Sequence, residues 1–195
     1  AVEGARAAGR PILFLTGHFG NFDAPRVCMV ARGLEIGGLY RALSNPYFNR
    51  FYSASISAVS GPAFEQGRRG TINLVRHLKS GGATLLLFDV YDSGGATIPF
   101  LGQPAPTLTS AAEIAVKTGA LVVPHFGIRN PDGVTFRAVF EAPIATDDPE
   151  AMMREMTERL EARIEETPGQ WIWMHRRWKP KRQRKRAAKA GKIEA

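Results

Sequence analysis

The chain has 195 residues, 44% of them hydrophobic and 23% charged, with Gly 20 and Pro 13; this fits one globular domain and excludes a disordered chain or a collagen-like repeat. Its net charge of +8 is unevenly placed. Ten of the 26 basic residues and one of the 18 acidic ones lie from Arg176 onward, leaving 16 basic and 17 acidic residues before it and excluding a basic groove across the body.

In chain order, Pro11–Gly17 is a short apolar run closed by glycine, which predicts a buried strand. Phe22–Arg32 reads as a helix ending before Gly33, and Ile36–Arg41 as a second strand. Asn45-Pro46 starts a helix through about Ser55, with proline where its missing donor costs nothing. The spacing of Ile72, Val75 and Leu78 predicts a helix over Arg68–Leu78 that stops at Gly81-Gly82. Ala83–Asp89 is the clearest buried strand, and Asp92-Ser93-Gly94-Gly95 marks a loop. Ser110–Lys117 is helical up to Gly119, and Leu121-Val122-Val123 begins another strand. Val134–Phe140 pairs with Phe126–Arg129 through the Asn130-Pro131-Asp132-Gly133 turn. A long helix, Asp148–Glu166, carries Met152, Met156, Leu160 and Ile164 on one stripe. Strands alternating with helices predict an α/β fold with a mostly parallel central sheet flanked by helices, and a site at the carboxyl ends of the strands.

The closing segment is different. Lys181–Arg186 has little apolar content, so residues 180–195 are expected to form a disordered basic tail: solvated, or drawn to anionic lipid at about 1 kcal/mol per basic residue. Nucleic-acid binding is not expected, because no reader motif accompanies it. The single cysteine, Cys28, cannot form an internal disulfide and suggests a reducing compartment. No apolar run reaches the roughly 18 residues of a membrane span. Glu3, Arg6 and Arg10 interrupt the start where a signal peptide would be apolar. The chain opens in what reads as the end of a helix, as a piece of a longer protein would.

The chemistry is concentrated in Thr16-Gly17-His18-Phe19-Gly20-Asn21-Phe22-Asp23, just beyond the first strand. An imidazole titrating near pH ~6.5 is suited to general-base work. Asp23 lies five positions on, about 140° around a straight helix. With His18 in the preceding loop, the chain can fold back so that the carboxylate meets one ring nitrogen, fixing the tautomer and freeing the other nitrogen for a hydroxyl proton. The competing reading makes Asp23 a first-turn helix residue with no link to His18. Cys28 sits in an apolar helix and Gly-x-Ser-x-Gly is absent, so direct attack by an acceptor hydroxyl is expected in place of an acyl-enzyme. His77 and His125 read as a helix residue and a core histidine, Trp171 and Trp173 as packing residues, and no His/Cys spacing suggests zinc.

Several blocks, in order, resemble the bacterial lipid A biosynthesis acyltransferases, relatives of the glycerol-phosphate acyltransferases. Gly17–Asp23 looks like their catalytic H-x-x-x-x-D/E block, Leu39-Tyr40-Arg41-Ala42-Leu43-Ser44-Asn45-Pro46 their Tyr-Arg-Pro-Leu-x-Asn-Pro block, and Phe88-Asp89 their Pro-Asp-Gln block. Ile98-Pro99-Phe100-Leu101-Gly102 and Pro168–Trp178 match two more. Val90 replaces the family glutamine, Tyr91-Asp92-Ser93 replaces the following Asp-Tyr-Gly, and the family's N-terminal hydrophobic anchor is not in this chain. The resemblance implies a glycerol-phosphate acyltransferase-like domain over residues 1–179, shortened at its N-terminus. It implies transfer of a fatty acyl chain from acyl carrier protein to a hydroxyl of a lipid A precursor, with no metal or bound cofactor. His18 would be the general base and Asp23 its orienting partner; Arg41, Asn45 and Asp89 would bind substrate. The implied setting is the cytoplasmic face of the inner membrane, with acyl carrier protein, a lipid acceptor and an anionic membrane surface as partners. A lysophospholipid or a phosphatidylinositol mannoside is the alternative acceptor. The alternative of another class is a non-catalytic membrane- or nucleic-acid-binding module driven by the tail.

Overall fold

The computed structural model describes residues 1–179; the basic tail expected for 180–195 lies outside them. The elements are α1 (Val2–Ala7), β1 (Ile12–Thr16), α2 (Asp23–Val30), β2 (Ile36–Tyr40), α3 (Pro46–Val59), β3 (Ala63–Glu65), α4 (Arg68–Lys79), β4 (Ala83–Leu87), β5 (Tyr91–Phe100), β6 (Gln103–Thr107), α5 (Ser110–Thr118), β7 (Leu121–Arg129), β8 (Phe136–Phe140) and α6 (Pro149–Glu166), then a short 3-10 turn over Pro168–Gln170.

Six strands form one sheet in the order β3-β2-β4-β1-β7-β8. Its first five strands run parallel, and β8 returns antiparallel along the far half of β7. This is the α/β architecture the alternation of elements predicts. β1 and β4 are central and apolar because both faces are covered. The period of two sorts β1 residues between the faces. Leu13 and Leu15 join the large core under α4, α5 and α6, where Met152, Met156, Leu160 and Ile164 form the predicted stripe. Ile12 and Phe14 join a smaller core with Ala5 of α1 and Leu34.

The helix starts follow from local chemistry. Asn45 Oδ1 accepts from the Tyr47 and Phe48 amides, and Asp148 Oδ2 from Ala151, each with proline next in line. Gly119, at φ 68, closes α5.

Two stretches depart from the sequence reading. Ala63–Glu65 forms a parallel edge strand on β2 that was not expected. The turn signal Asp92–Gly95 lies inside β5, which pairs antiparallel with β6. Asp92 Oδ1 accepts from the Gly94 amide, as in a turn, but the chain absorbs the residues as an irregularity between Tyr91 and Ala96 and then resumes pairing. Among the described residues no helix is long and apolar enough to cross a membrane.

Candidate active site

β1 and β4 are neighbours, so the segments leaving their carboxyl ends, Gly17-His18 and Phe88-Asp89, emerge side by side. The Phe88 amide donates to Thr16 O, extending the ladder to the point where the two chains part. Gly17 permits the close approach: a Cβ there would stand 2.6 Å from Leu160 Cδ2 and 3.1 Å from Asp89 Oδ2. Beyond His18 the loop turns toward β7. Gly20, at φ +54, lies so near the Gly127 carbonyl that a Cβ would come within 2.0 Å of that oxygen.

Asp89 is 1% exposed and fully used. Its Oδ1 is 2.6 Å from His18 Nδ1; its Oδ2 accepts from the His18 backbone amide and from Trp171 Nε1, both at 2.9 Å. Burial alone would push the Asp89 carboxyl up, but the bond to His18, the attraction of its ring and the Trp171 bond together hold it below the ordinary value. An ionised carboxylate only accepts, so Nδ1 carries the hydrogen, and in the neutral ring Nε2 is then the nitrogen with the free lone pair. The His18 side chain is 28% exposed, open to an incoming group.

The chain's closing segment forms the other wall. Trp171 pairs with Phe19, the Ile172 amide donates to His18 O, and the His175 ring stacks on His18 with centroids 5.7 Å apart and planes 14° apart. Arg177 is buried just behind. Its guanidinium donates to Pro106 O at 2.7 Å and to Thr107 Oγ1, and its Cζ lies 5.4 Å from the Phe100 ring centre. Desolvation pulls its pKa down to about 10, against the opposing pull of Asp89.

The predicted residues therefore divide. His18 and Asp89 come together. Asp23 is not on the His18 ring: it occupies the first turn of α2, is 44% exposed, and faces Arg26 at 3.6 Å. The physical reason is the route of the loop. Asn21 N donates to Gly127 O and its side chain accepts from the amides of Asp23 and Ala24, which starts α2 at Asp23 and leaves its carboxylate facing Arg26. Arg41 is exposed in the loop after β2, two strands from β1, and makes no ion pair among the described residues; two strand spacings are about 10 Å. Asn45 caps α3 at the same edge. Trp171 reads from the sequence as a packing residue and His175 only as part of the Pro168–Trp178 block; their distance from His18 in sequence gives no sign that the last crossing of the chain brings them beside it. Two cavities, of 310 Å³ beside Pro143–Asp147 and 510 Å³ along β3 and the start of α4, do not include His18.

A histidine held by a buried carboxylate thus lies at the carboxyl ends of the parallel strands of an α/β protein, the end at which such sheets place their ligand sites. The sequence model for the bacterial lipid A biosynthesis acyltransferases matches residues 1–180, and the chain belongs to that family. It is 24% identical over 177 residues to a lipid A biosynthesis acyltransferase of Haemophilus influenzae, covering 89% of this chain and 55% of that protein. It is 26% identical over 187 residues to a lipid A biosynthesis lauroyltransferase of Escherichia coli strain K12, covering 91% and 59%. The chain thus spans a little more than half the length of these curated relatives. Among solved structures, the 1-acyl-sn-glycerophosphate acyltransferase PlsC of Thermotoga maritima aligns with a TM-score of 0.45 at 18% identity, over 84% of this chain and 68% of that one.

Proposed function

We propose that this chain carries the acyl-transfer site of an enzyme that moves a fatty acyl group from an acyl carrier protein thioester to a hydroxyl of a lipid A precursor, at the cytoplasmic face of the inner membrane. The observation that carries the reading is the ring of His18, held through Nδ1 by Asp89 with Nε2 left as acceptor. Nε2 takes the proton of the acceptor hydroxyl while its oxygen forms a bond to the thioester carbonyl carbon. The tetrahedral intermediate collapses with cleavage of the C–S bond, and the departing sulfur receives the proton from the imidazolium. Ionised Asp89 keeps the ring in the productive tautomer and favours the imidazolium while it exists. Arg41, exposed at the same edge, is assigned to an acceptor phosphate, which a permanently charged planar fork suits.

In this reading Asp89 takes the orienting role that the sequence pattern assigns to Asp23. Acyl transfer from acyl carrier protein to a lipid A precursor, measured with His18→Ala, Asp89→Asn and Asp23→Asn proteins, tests it. His18→Ala loses about 10²–10⁴-fold in kcat/KM with an unchanged circular dichroism spectrum. Asp89→Asn follows it down, and Asp23→Asn stays within a few fold of the parent. Full transfer by His18→Ala overturns the mechanism. A chain that transfers to a lysophospholipid and not to the lipid A precursor keeps the mechanism and overturns the acceptor.

A further inference from the structure

Helix α3 is built the wrong way round for a soluble protein. Of its two faces, the one turned to the body carries Tyr52, Ile56 and Val59, spaced four and three apart and half-buried. Tyr52 meets Tyr40 edge-on at 6.3 Å, and the buried Arg26 guanidinium holds the far end by donating to Ile56 O and Ser60 O. A second face, about 100° around the helix, holds the largest apolar groups. Tyr47 is 88%, Phe51 68% and Phe48 56% exposed, and the Phe48 and Phe51 rings lie 6.3 Å apart. No residue of α3 is fully buried. Exposed Leu43 extends the patch into the preceding loop, whose amide donates to Asn49 Oδ1, so loop and helix form one platform.

The charge around this platform is mainly positive, and the exposed acid Glu65, paired in register with Tyr40, borders it. Between Glu35 and Glu65 the sequence holds no acid, and its only charged residues are Arg41 and Arg50, both exposed. Arg68 and Arg69 open α4 beside them, since the Gln66 amide donates to Tyr40 O and ties the end of β3 to the end of β2. All of this lies at the edge of the sheet from which His18 emerges, where Trp173 and Met174 are also exposed.

We propose that the outer face of α3, with Leu43, is a bilayer-docking surface: Tyr47, Phe48 and Phe51 enter the headgroup–acyl boundary while Arg50, Arg68 and Arg69 meet anionic lipid phosphates. A large aromatic face rimmed by arginine, on a helix that carries no acid, is the pattern of a helix lying in a membrane interface. Docked there, the chain presents the His18 edge to lipid-borne substrate. The inference rests on the proposed lipid substrate only for its purpose, because docking is read without turnover.

The test is flotation of the whole 195-residue chain with vesicles of phosphatidylethanolamine and phosphatidylglycerol at low and high salt. Salt suppresses attraction through the basic C-terminal segment but leaves apolar insertion in place. Phe48→Ser/Phe51→Ser lowers partition by about tenfold or more at high salt, from the transfer free energy of two phenyl groups. Val116→Ser, an exposed apolar change at the opposite edge, leaves it unchanged. On the unaltered chain, vesicles slow hydrogen exchange of the α3 amides, a readout that needs no variant. Equal high-salt partition of the double variant and parent overturns the proposal, as does unprotected α3. Retained partition with lost binding to an acidic carrier protein also overturns it and assigns the face to a protein partner. His18→Ala floats as the parent does, so failure of docking and failure of the catalytic assignment are separate results.

Discussion

Asp89, itself buried beside the open His18 ring, accepts three hydrogen bonds, two from the His18 ring and backbone and one from the Trp171 indole. Trp171→Phe removes one donor and leaves a smaller aromatic ring against Phe100, whose centroid lies 5.3 Å from that of the indole. The Asp89 carboxyl then titrates at higher pH, since the indole bond is one of the contacts that lower it. A bond to a buried charge contributes about 1.5–3 kcal/mol and the lost indole volume adds to it, so urea denaturation should show a loss of at least that size. The fall in kcat/KM should be smaller than that of Asp89→Asn, because both donors from His18 remain. His18 was legible in the sequence as a polar residue at a strand end. Its partner was not, because Asp23 offers a carboxylate five residues away and Asp89 one 71 residues away. Only the pairing of β1 with β4 decides between them. Asp23 was better described by its first-turn position, which needs no tertiary information.

At the scale of elements, the hairpin of β5 and β6 shows what turn chemistry can and cannot predict. Asp92-Ser93-Gly94-Gly95 does make an Asx contact, but pairing resumes after it because Ile98, Phe100 and Ala105 have a core to enter. β3 is three residues long and has too little pattern to be read alone. What stitches the hairpin to the rest is Arg177, which lies within the charge cluster counted from Arg176 yet is 1% exposed. Its fork spans Pro106 O and Thr107 Oγ1 while its face lies against Phe100. Lysine has neither the fork nor the planar face, and its compact charge is more strongly hydrated. Arg177→Lys is therefore expected to destabilise the protein by about 1.5–3 kcal/mol, the scale of hydrogen bonds made by a buried charged group. A denaturation midpoint measured by Trp fluorescence checks this, and a loss below about 0.5 kcal/mol would show that the hairpin does not depend on the fork.

For the whole molecule, the alternation of strand and helix was enough to predict a mostly parallel sheet, because continuous apolar runs such as Ile12–Leu15 demand cover on both faces. The same burial makes stability depend on pH through His125 in β7. Its ring packs edge-on to Phe14 and stacks on Phe140; Nε2 approaches Phe22 O at 3.4 Å, and Nδ1 is buried without a hydrogen-bond partner. Desolvation lowers its pKa to about 4, only partly offset by the Phe22 carbonyl. Unfolded, the same ring titrates near ~6.5. Below that pH the unfolded chain binds a proton that the folded chain excludes. The stability that the neutral ring permits is thus fully present above pH ~6.5, falls by about 1.4 kcal/mol per unit, and is lost near the folded value, a total of roughly 3 kcal/mol. Urea denaturation of parent and His125→Leu between pH 7 and about 4.5 isolates this group, because every other carboxyl and imidazole is common to both proteins. The parent should lose stability more steeply over this range, with the difference growing as pH falls. Parallel pH curves would place the His125 titration at its ordinary value and the ring in contact with water.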